Sequence, residues 1–556
     1  MKMPITLLAV FSCLVTFSAE KNLLDNGDFS KLDSKQNPVS WRVDGKEIKV
    51  VREKDKSVLR VKSERKHNQN FISLRHTMRN VPEGAYVMSG EVKGNVTELR
   101  CVFNFPPEVQ KNVTFTRGIM QESKDGWIPF RINMIVPKKS KWAGVILSPI
   151  TKNAGDELQF RSFRIELKTS PAVAAVAAPA PTVKKGTAVA QTSGYSRQNQ
   201  FFLPSAIYAV PGVECNIYYK NIFLTLNYGN YMFEVECAAG RNDQDRWRFL
   251  PKAADAGKKY PLTITVKDTD GIVAKGSTVV YVTPADAGKG KAVSLLMVGD
   301  SLTAGGDFSA RVKELFDKEK DGVKLTMVGS QKHKKIPGVA HEGYGGWTWA
   351  SFVVLTSSPD GKRPVSKFMY KKANGFVFDL HEFVKKYNNG KMPDVITFQL
   401  GGNDIFLADD NSRKYKIVEV LENADRLIGL FRAQAPDAII GVGFTTPSAT
   451  SQDAFGIHYK CGQTMWGYTQ NQFRLIQAMS VHFAEKMKKD KKLFLIPTYL
   501  NLDRDHNFPK MEEEINYGNS KKIIRQCNGL HPELAGYRQV GDSLYAWLKY
   551  RLNQQK

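Results

Sequence analysis

The sequence predicts a multidomain protein in which two β-sandwich domains precede a C-terminal α/β domain built on a parallel sheet. Three observations predict it. At 556 residues the chain is too long for one hydrophobic core. Up to about residue 286 the apolar residues fall in short alternating runs broken by Gly, Asn and Pro, the pattern of half-buried strands. Beyond residue 290 continuous apolar runs alternate with stretches of helical periodicity, which means parallel strands joined by crossover helices on both faces of the sheet. The composition, 42% hydrophobic and 24% charged, is that of an ordinary globular protein.

The chain opens with Lys2, an apolar run over 5–17, and small residues at Ser18 and Ala19. This reads as a secretory signal peptide over residues 1–19 and predicts a secreted or periplasmic protein. A lipoprotein signal through Cys13 is the alternative, which Phe11 fits poorly. No later run is long enough to span a bilayer. Residues 20–168 carry alternating segments at 57–61, 85–92, 142–147 and 160–167 and predict the first sandwich. Residues 169–199 shift to Ala, Pro, Val, Ser and Thr with no periodicity that would bury a face, so they read as a linker. Strand patterns return at 217–219, 231–237, 260–266 and 278–282, with Asp268-Thr269-Asp270-Gly271 as a turn. Residues 200–286 therefore predict a small immunoglobulin-like sandwich, a support by default and a second binding module as the lesser alternative.

The α/β domain spans 290–556. Strands are expected at 293–298, 324–329, 349–354, 393–400, 438–444 and 493–497. Helices are expected at 415–431, where Val418, Leu421, Ala424, Ile428 and Phe431 share a face, at 472–488, and at 537–552. The irregular stretch 357–388 is expected to cover or edge the active site.

A net charge of +25, spread over both halves of the chain, favours acidic partners. Predicted export and the absence of any nucleic-acid motif argue against nucleic acid and for an acidic or sulfated polysaccharide. A basic surface that serves only solubility is the plain alternative. Removing Cys13 leaves five cysteines without Cys-x-x-Cys spacing, so no metal site is expected. In an oxidising compartment Cys215–Cys237 and Cys461–Cys527 are the pairings expected, with Cys101 free; the alternative is five small core residues.

The chemistry centres on the end of the strand at 293–298, which stops at Gly299-Asp300-Ser301. A hydroxyl at the carboxyl end of a parallel strand faces the crevice where open α/β sheets bind their ligands. By itself this tripeptide also fits a turn with a helix-capping serine. Gly345-Gly346-Trp347-Thr348, Gly401-Gly402-Asn403-Asp404 and Asn528-Gly529-Leu530-His531-Pro532 follow, each after a strand or in a late loop. Four blocks in this order resemble the SGNH/GDSL hydrolase family, from about residue 293 to the C-terminus. The resemblance implies a three-layer, flavodoxin-like fold with no metal or organic cofactor. It makes Ser301 the nucleophile and His531 the general base and acid. It builds an oxyanion hole from the N–H groups of Ser301 and Gly346 and the amide of Asn403.

The chemistry asks for these residue types. A serine hydroxyl attacks only when a base takes its proton, and an imidazole suits neutral pH. Negative charge on the carbonyl oxygen needs preorganised donors. Gly345 is an alternative donor to Gly346. The histidines at 341, 381, 458 and 506 are assigned surface or core roles. One departure stands out: the family carries Asp three residues before the catalytic His, and this chain has Asn528. Three readings follow, in this order: Asn528 orients His531, a carboxylate such as Glu533 or Asp505 is borrowed, or the enzyme is weakened.

Asn22-Leu23-Leu24-Asp25-Asn26-Gly27-Asp28-Phe29, followed by Pro38-Val39-Ser40-Trp41 and the closing segment 160–167, resembles the jelly-roll carbohydrate-binding modules of exported glycan-active enzymes. Trp41, Trp127, Trp142, Phe103 and Phe105 are candidates for stacking on sugar rings, or else core residues. The run from His341 to Thr348 is similar to acetyl-xylan-type esterases. The expected function is an exported serine esterase that removes acetyl or other short acyl groups from a polysaccharide. The rivals are a lipase, thioesterase or arylesterase on the same fold, and a glycan-binding protein with a weakened hydrolase domain.

Overall fold

The structure, a computed structural model, describes residues 22–554 apart from 54, 67–68, 107–113, 118, 121–124, 137–139, 152, 168–197, 354–365 and 373–374. The expected signal peptide, Cys13 and all but the last two residues of the expected linker lie outside the described residues. The chain divides into two compact units, residues 1–168 and 169–556.

The first unit is a jelly-roll-like sandwich of a seven-stranded and a six-stranded sheet. Leu74, Cys101, Phe103, Val145 and Leu147 from one sheet meet Leu59, Val61, Met88, Phe130, Phe160 and Ile165 from the other in one core. The closing strand, Glu157–Leu167, changes phase at a bulge between Arg161 and Arg164, where Ser162 has φ +58°. The extra residue lets Leu158, Phe160, Phe163 and Ile165 all point inward although 160 and 163 are three apart. Trp41, Phe103, Phe105 and Trp127 are core residues, and Arg161 covers the Trp127 ring at 3.9 Å. Trp142 is half-buried.

The second unit begins with a four-stranded sheet (Ala206–Ala209, Gly271–Val282, Lys259–Asp268, Met232–Cys237) and a three-stranded one (Cys215–Tyr218, Arg246–Phe249, Arg241–Asn242). Its core is continuous with that of the α/β fold: Phe202 packs on Phe444 and Tyr499. The five described cysteines are all free, which corrects the two expected pairings. Cys215 and Cys237 lie on strands of different sheets, and Cys461 is exposed while Cys527 starts a loop at the base of a hairpin.

The α/β fold is a parallel sheet of β1 (Ala292–Gly299), β2 (Lys324–Val328), β3 (Ala340–Gly343), β4 (Val395–Gln399), β5 (Ile439–Gly443) and β6 (Leu493–Ile496). Strands β2 and β3 share one edge of β1, the first along Ala292–Leu296 and the second along Val298–Gly299; β4, β5 and β6 follow on the other side. This is the doubly wound order, with the crevice between β3 and β4 at the carboxyl end of β1. Side chains alternate along β1. Val293, Leu295 and Met297 pack with α2 (Asp307–Asp317) and α7 (Leu534–Gln554), while Leu296 and Val298 join α4 (Arg413–Gln434) and α6 (Met465–Lys489).

One expectation is corrected. Residues 349–353, the described part of the strand expected at 349–354, do not form one; Ala350–Phe352 is a 3-10 turn, and β3 takes the place beside β1. Trp349 and Phe352 are both fully buried three residues apart, a spacing that one tight turn, and not an alternating strand, puts on a single side. Of the stretch 357–388, residues 366–372 and 375–388 are described. Phe368 packs on Phe352, which packs on Trp347 of the second block, and also on Phe431 and on Phe383 of α3 (Leu380–Tyr387). Gln434, at the far end of α4, bonds to Phe378 and Leu380. That end of α4 faces the amino ends of the strands. Residues 354–365 lie outside the described residues.

Candidate active site

The apolar run of β1 ends at Gly299 because the chain must turn tightly there. A Cβ on Gly299 would come within 1.9 Å of Thr303 Oγ1, and one on Gly343 at the end of β3 within 2.5 Å of Ala304 N. The two glycines let the short helix α1 (Ser301–Ala304) rest directly on the strand ends. Asp300 caps α1, its carboxylate accepting from the Leu302 N–H at 3.0 Å. Burial of Asp300 pushes its carboxyl up to about 7. Ser301 is thereby the first helical residue, with its N–H among the donors that a helix start leaves unpaired.

His531 comes from the loop between a β-hairpin (β7, Lys510–Asn516; β8, Asn519–Gln526) and α7. Its Nε2 lies 2.8 Å from Ser301 Oγ, the distance of a hydroxyl donating to a neutral imidazole. Burial first, and then the nearby His458, hold the imidazole below its ordinary value of 6.5. His531 is therefore neutral at pH 7 and ready to accept the serine proton.

Asn528 acts on the loop and not on the ring. Its Oδ1 accepts from the N–H groups of Leu530 at 3.1 Å and His531 at 3.0 Å, closing the turn that presents the imidazole. Among the described residues no carboxylate pairs with His531. Asp505 is held by Lys220 at 2.7 Å and Thr450 at 2.6 Å, and Glu533 is exposed.

The remaining two blocks leave the same edge of the sheet. Gly299 is opposite Gly343 of β3 and Gln399 of β4, so the loops carrying Ser301, Gly346 and Asn403 emerge from three adjacent strands in register. Gly346 has φ +73° within a turn closed by Trp347 N–H to Tyr344 O at 3.2 Å, and open space faces it. Among the described residues nothing accepts from the Gly346 N–H. Asn403 Nδ2 donates to Trp347 O at 3.0 Å, and Trp349 N–H donates to Asp404 at 3.2 Å. These two bonds tie the second and third loops together and leave the Asn403 amide one further N–H. His458, expected in a surface or core role, is exposed, and its ring centre is 6.4 Å from that of His531. It sits at the end of helix α5 (Gln452–Tyr459), far along the chain from the histidine loop, and no local signal marks it.

Among the described residues no group of three or more His, Cys, Asp or Glu is placed to hold a metal ion. No described helix is long and apolar enough to cross a membrane. Residues 295–544 match the family model of the GDSL-like lipase/acylhydrolases. No curated protein matches the chain. Among solved structures, a carbohydrate acetylesterase family member from Sinorhizobium meliloti is similar at 16% identity over 47% of this chain and 99% of its own, with a TM-score of 0.28. A xylan-binding domain from Paenibacillus barcinonensis is similar at 14% identity over 27% of this chain and 97% of its own, with a TM-score of 0.20. Likeness at this level bears on neither substrate nor partner.

Proposed function

We propose, from the premise that residues 295–544 form a carboxylic ester hydrolase domain of the GDSL type, that the protein is an exported serine esterase removing acetyl or other short acyl groups from a polysaccharide. The observation that carries the hydrolytic reading is the 2.8 Å contact between His531 Nε2 and Ser301 Oγ. Ser301 Oγ attacks the ester carbonyl as His531 Nε2 takes its proton. The oxyanion is met by the N–H groups of Ser301 and Gly346 and by the Asn403 amide. Collapse expels the sugar alkoxide, which takes the proton from His531, and leaves an acyl-Ser301. Water, deprotonated by His531, then releases the carboxylic acid and restores the serine. A donor of this kind is worth roughly 2.7–4 kcal/mol when it meets developing charge.

Carbohydrate as the substrate rests on the jelly-roll form of the first unit and on the similarity of residues 341–348 to acetyl-xylan-type esterases. Acidic or sulfated glycans suit the charge of +25. The test is acetate release from a panel of acetylated polysaccharides by the protein and by Ser301→Ala. Release by the former, with a loss of at least about 10³-fold in the variant, is expected. Octanoate esters cleaved much faster than acetates would favour the lipase rival, and glycan binding without Ser301-dependent hydrolysis would favour the pure binder.

A further inference from the structure

We propose that an aromatic wall beside His531 receives the alcohol part of the ester and that this part is a pyranose ring, an inference that rests on the esterase reading above. Phe455 of α5 and Tyr468 of α6 are buried, and the half-buried Phe406 and Tyr459 rest on them. Ring centres are 4.8 Å apart between Phe406 and Tyr459, 5.8 Å between Tyr459 and Phe455, and 6.0 Å between Phe406 and Tyr468. These are the spacings of favourable aromatic pairs, so the buried rings hold the outer ones in place.

Two glycines set the wall against the catalytic loops. A Cβ on Gly529, in the loop of His531, would come within 2.9 Å of the Phe455 ring, and one on Gly402, next to Asn403, within 3.0 Å of the Tyr468 hydroxyl. Phe406 belongs to the Asn403 turn itself, its N–H donating to Asn403 O at 3.4 Å. At the other end the His458 ring stands edge-on to Tyr459 at 4.5 Å, and its centre is 6.4 Å from that of His531. The wall therefore runs from the loop of the oxyanion donor to the loop of the base.

The path of the proton decides which part of the ester meets it. His531 Nε2 gives its proton to the leaving oxygen, so the alcohol part lies on the imidazole side of the carbonyl carbon and the acyl part away from it. The alcohol part is thus the portion that reaches His458, Tyr459 and Phe406. Leu407 and Ile457, next to Phe406 and His458 along the chain, are exposed, so the surface is open and not the enclosed apolar slot that a long acyl chain needs. A pyranose ring fits it. Its C–H face buries apolar area on an aromatic ring, while its hydroxyls stay in water or bond the exposed His458 imidazole.

The test uses the full-length protein and acetate esters that differ only in the alcohol: ethyl acetate and monoacetylated methyl xyloside, glucoside and galactoside. At least one glycoside is expected to exceed ethyl acetate in kcat/KM by about five-fold or more. Its unacetylated form is expected to inhibit ethyl acetate cleavage competitively. Tyr459→Leu and Phe406→Leu are each expected to lower the ratio of glycoside to ethyl acetate by about five-fold, mainly through KM, while Tyr459→Phe, which keeps the ring, holds it. No glycoside preferred over ethyl acetate, or a ratio unchanged in both leucine variants, would overturn the proposal. So would leucine variants that lose ethyl octanoate relative to ethyl acetate and keep the glycoside ratio, which would give the wall to the acyl chain. Ser301-dependent cleavage of ethyl acetate reports on the esterase reading separately, so the two fail independently.

Discussion

The Ser301–His531 pair is set up by its surroundings before any substrate arrives. Burial and the neighbouring His458 both disfavour the imidazolium, so the base is neutral under ordinary conditions. A base with a lowered pKa stays active further into acid. The acidic limb of kcat/KM is therefore expected below pH 6.5, and His458→Gln, which removes one source of positive charge, is expected to move that limb upward. A limb above pH 6.5, or one that His458→Gln moves down, would count against this electrostatic account. At this scale the sequence was legible where chemistry demands a residue type. Ser301 and His531 could be named from their blocks, and the structure brings them into hydrogen-bond contact. That the surface residue His458 lies near His531 could not be read from the sequence, because it depends on where α5 ends and not on any spacing from His531.

The element that aims the base is the loop from Cys527 to Pro532, and it is pinned from several sides. Cys527 N–H donates to Pro509 O at 2.8 Å, Ala449 N–H to Gly529 O at 2.9 Å, and Asn528 Oδ1 takes two N–H groups of its own turn. Gln526 donates to Arg504 O at 2.8 Å and accepts from Ser451 N–H at 3.0 Å. Arg504 in turn reaches Lys220 O at 2.8 Å, and Asn221 Nδ2 holds the carbonyls of Tyr499 and Leu502. The small sandwich thus fastens the segment on which the histidine loop is hung. Asn528→Ala, which frees two N–H groups and loosens the turn, is expected to lower kcat by about 10²-fold, the cost of a base misplaced by an ångström. Asn528→Asp keeps the acceptor and is expected to retain most of kcat. Equal loss in both variants would assign Asn528 a role through its amide hydrogens instead. Element types were legible where periodicity is long, as in α4 and α6. They were not at 349–354, where the burial of two aromatics decided for a 3-10 turn, nor at β7–β8, whose strands are almost wholly exposed and carry no apolar alternation.

At the scale of the molecule the chain divides into two compact units at residue 168, and the small sandwich expected at 200–286 shares its core with the α/β fold, a continuity that the period of each fold class along the chain does not show. What pattern does not show is which side chains a sandwich spends on its core. Four of the five aromatic stacking candidates are core residues of the first unit. Of the candidates only the half-buried Trp142 is left outside that core. Removing residues 22–168 is expected to cut action on insoluble acetylated polysaccharide by about ten-fold or more, the usual scale of a lost tethered contact, while sparing p-nitrophenyl acetate. Equal losses on both substrates would make the first unit structural. The central claim, that one serine carries the acyl group, is tested most directly by rapid mixing with p-nitrophenyl acetate, followed by acid quench and peptide mass spectrometry. The account predicts an acetyl group on the peptide containing Ser301, absent in Ser301→Ala. Hydrolysis that proceeds at full rate in Ser301→Ala, with no acylated peptide in either protein, would contradict it.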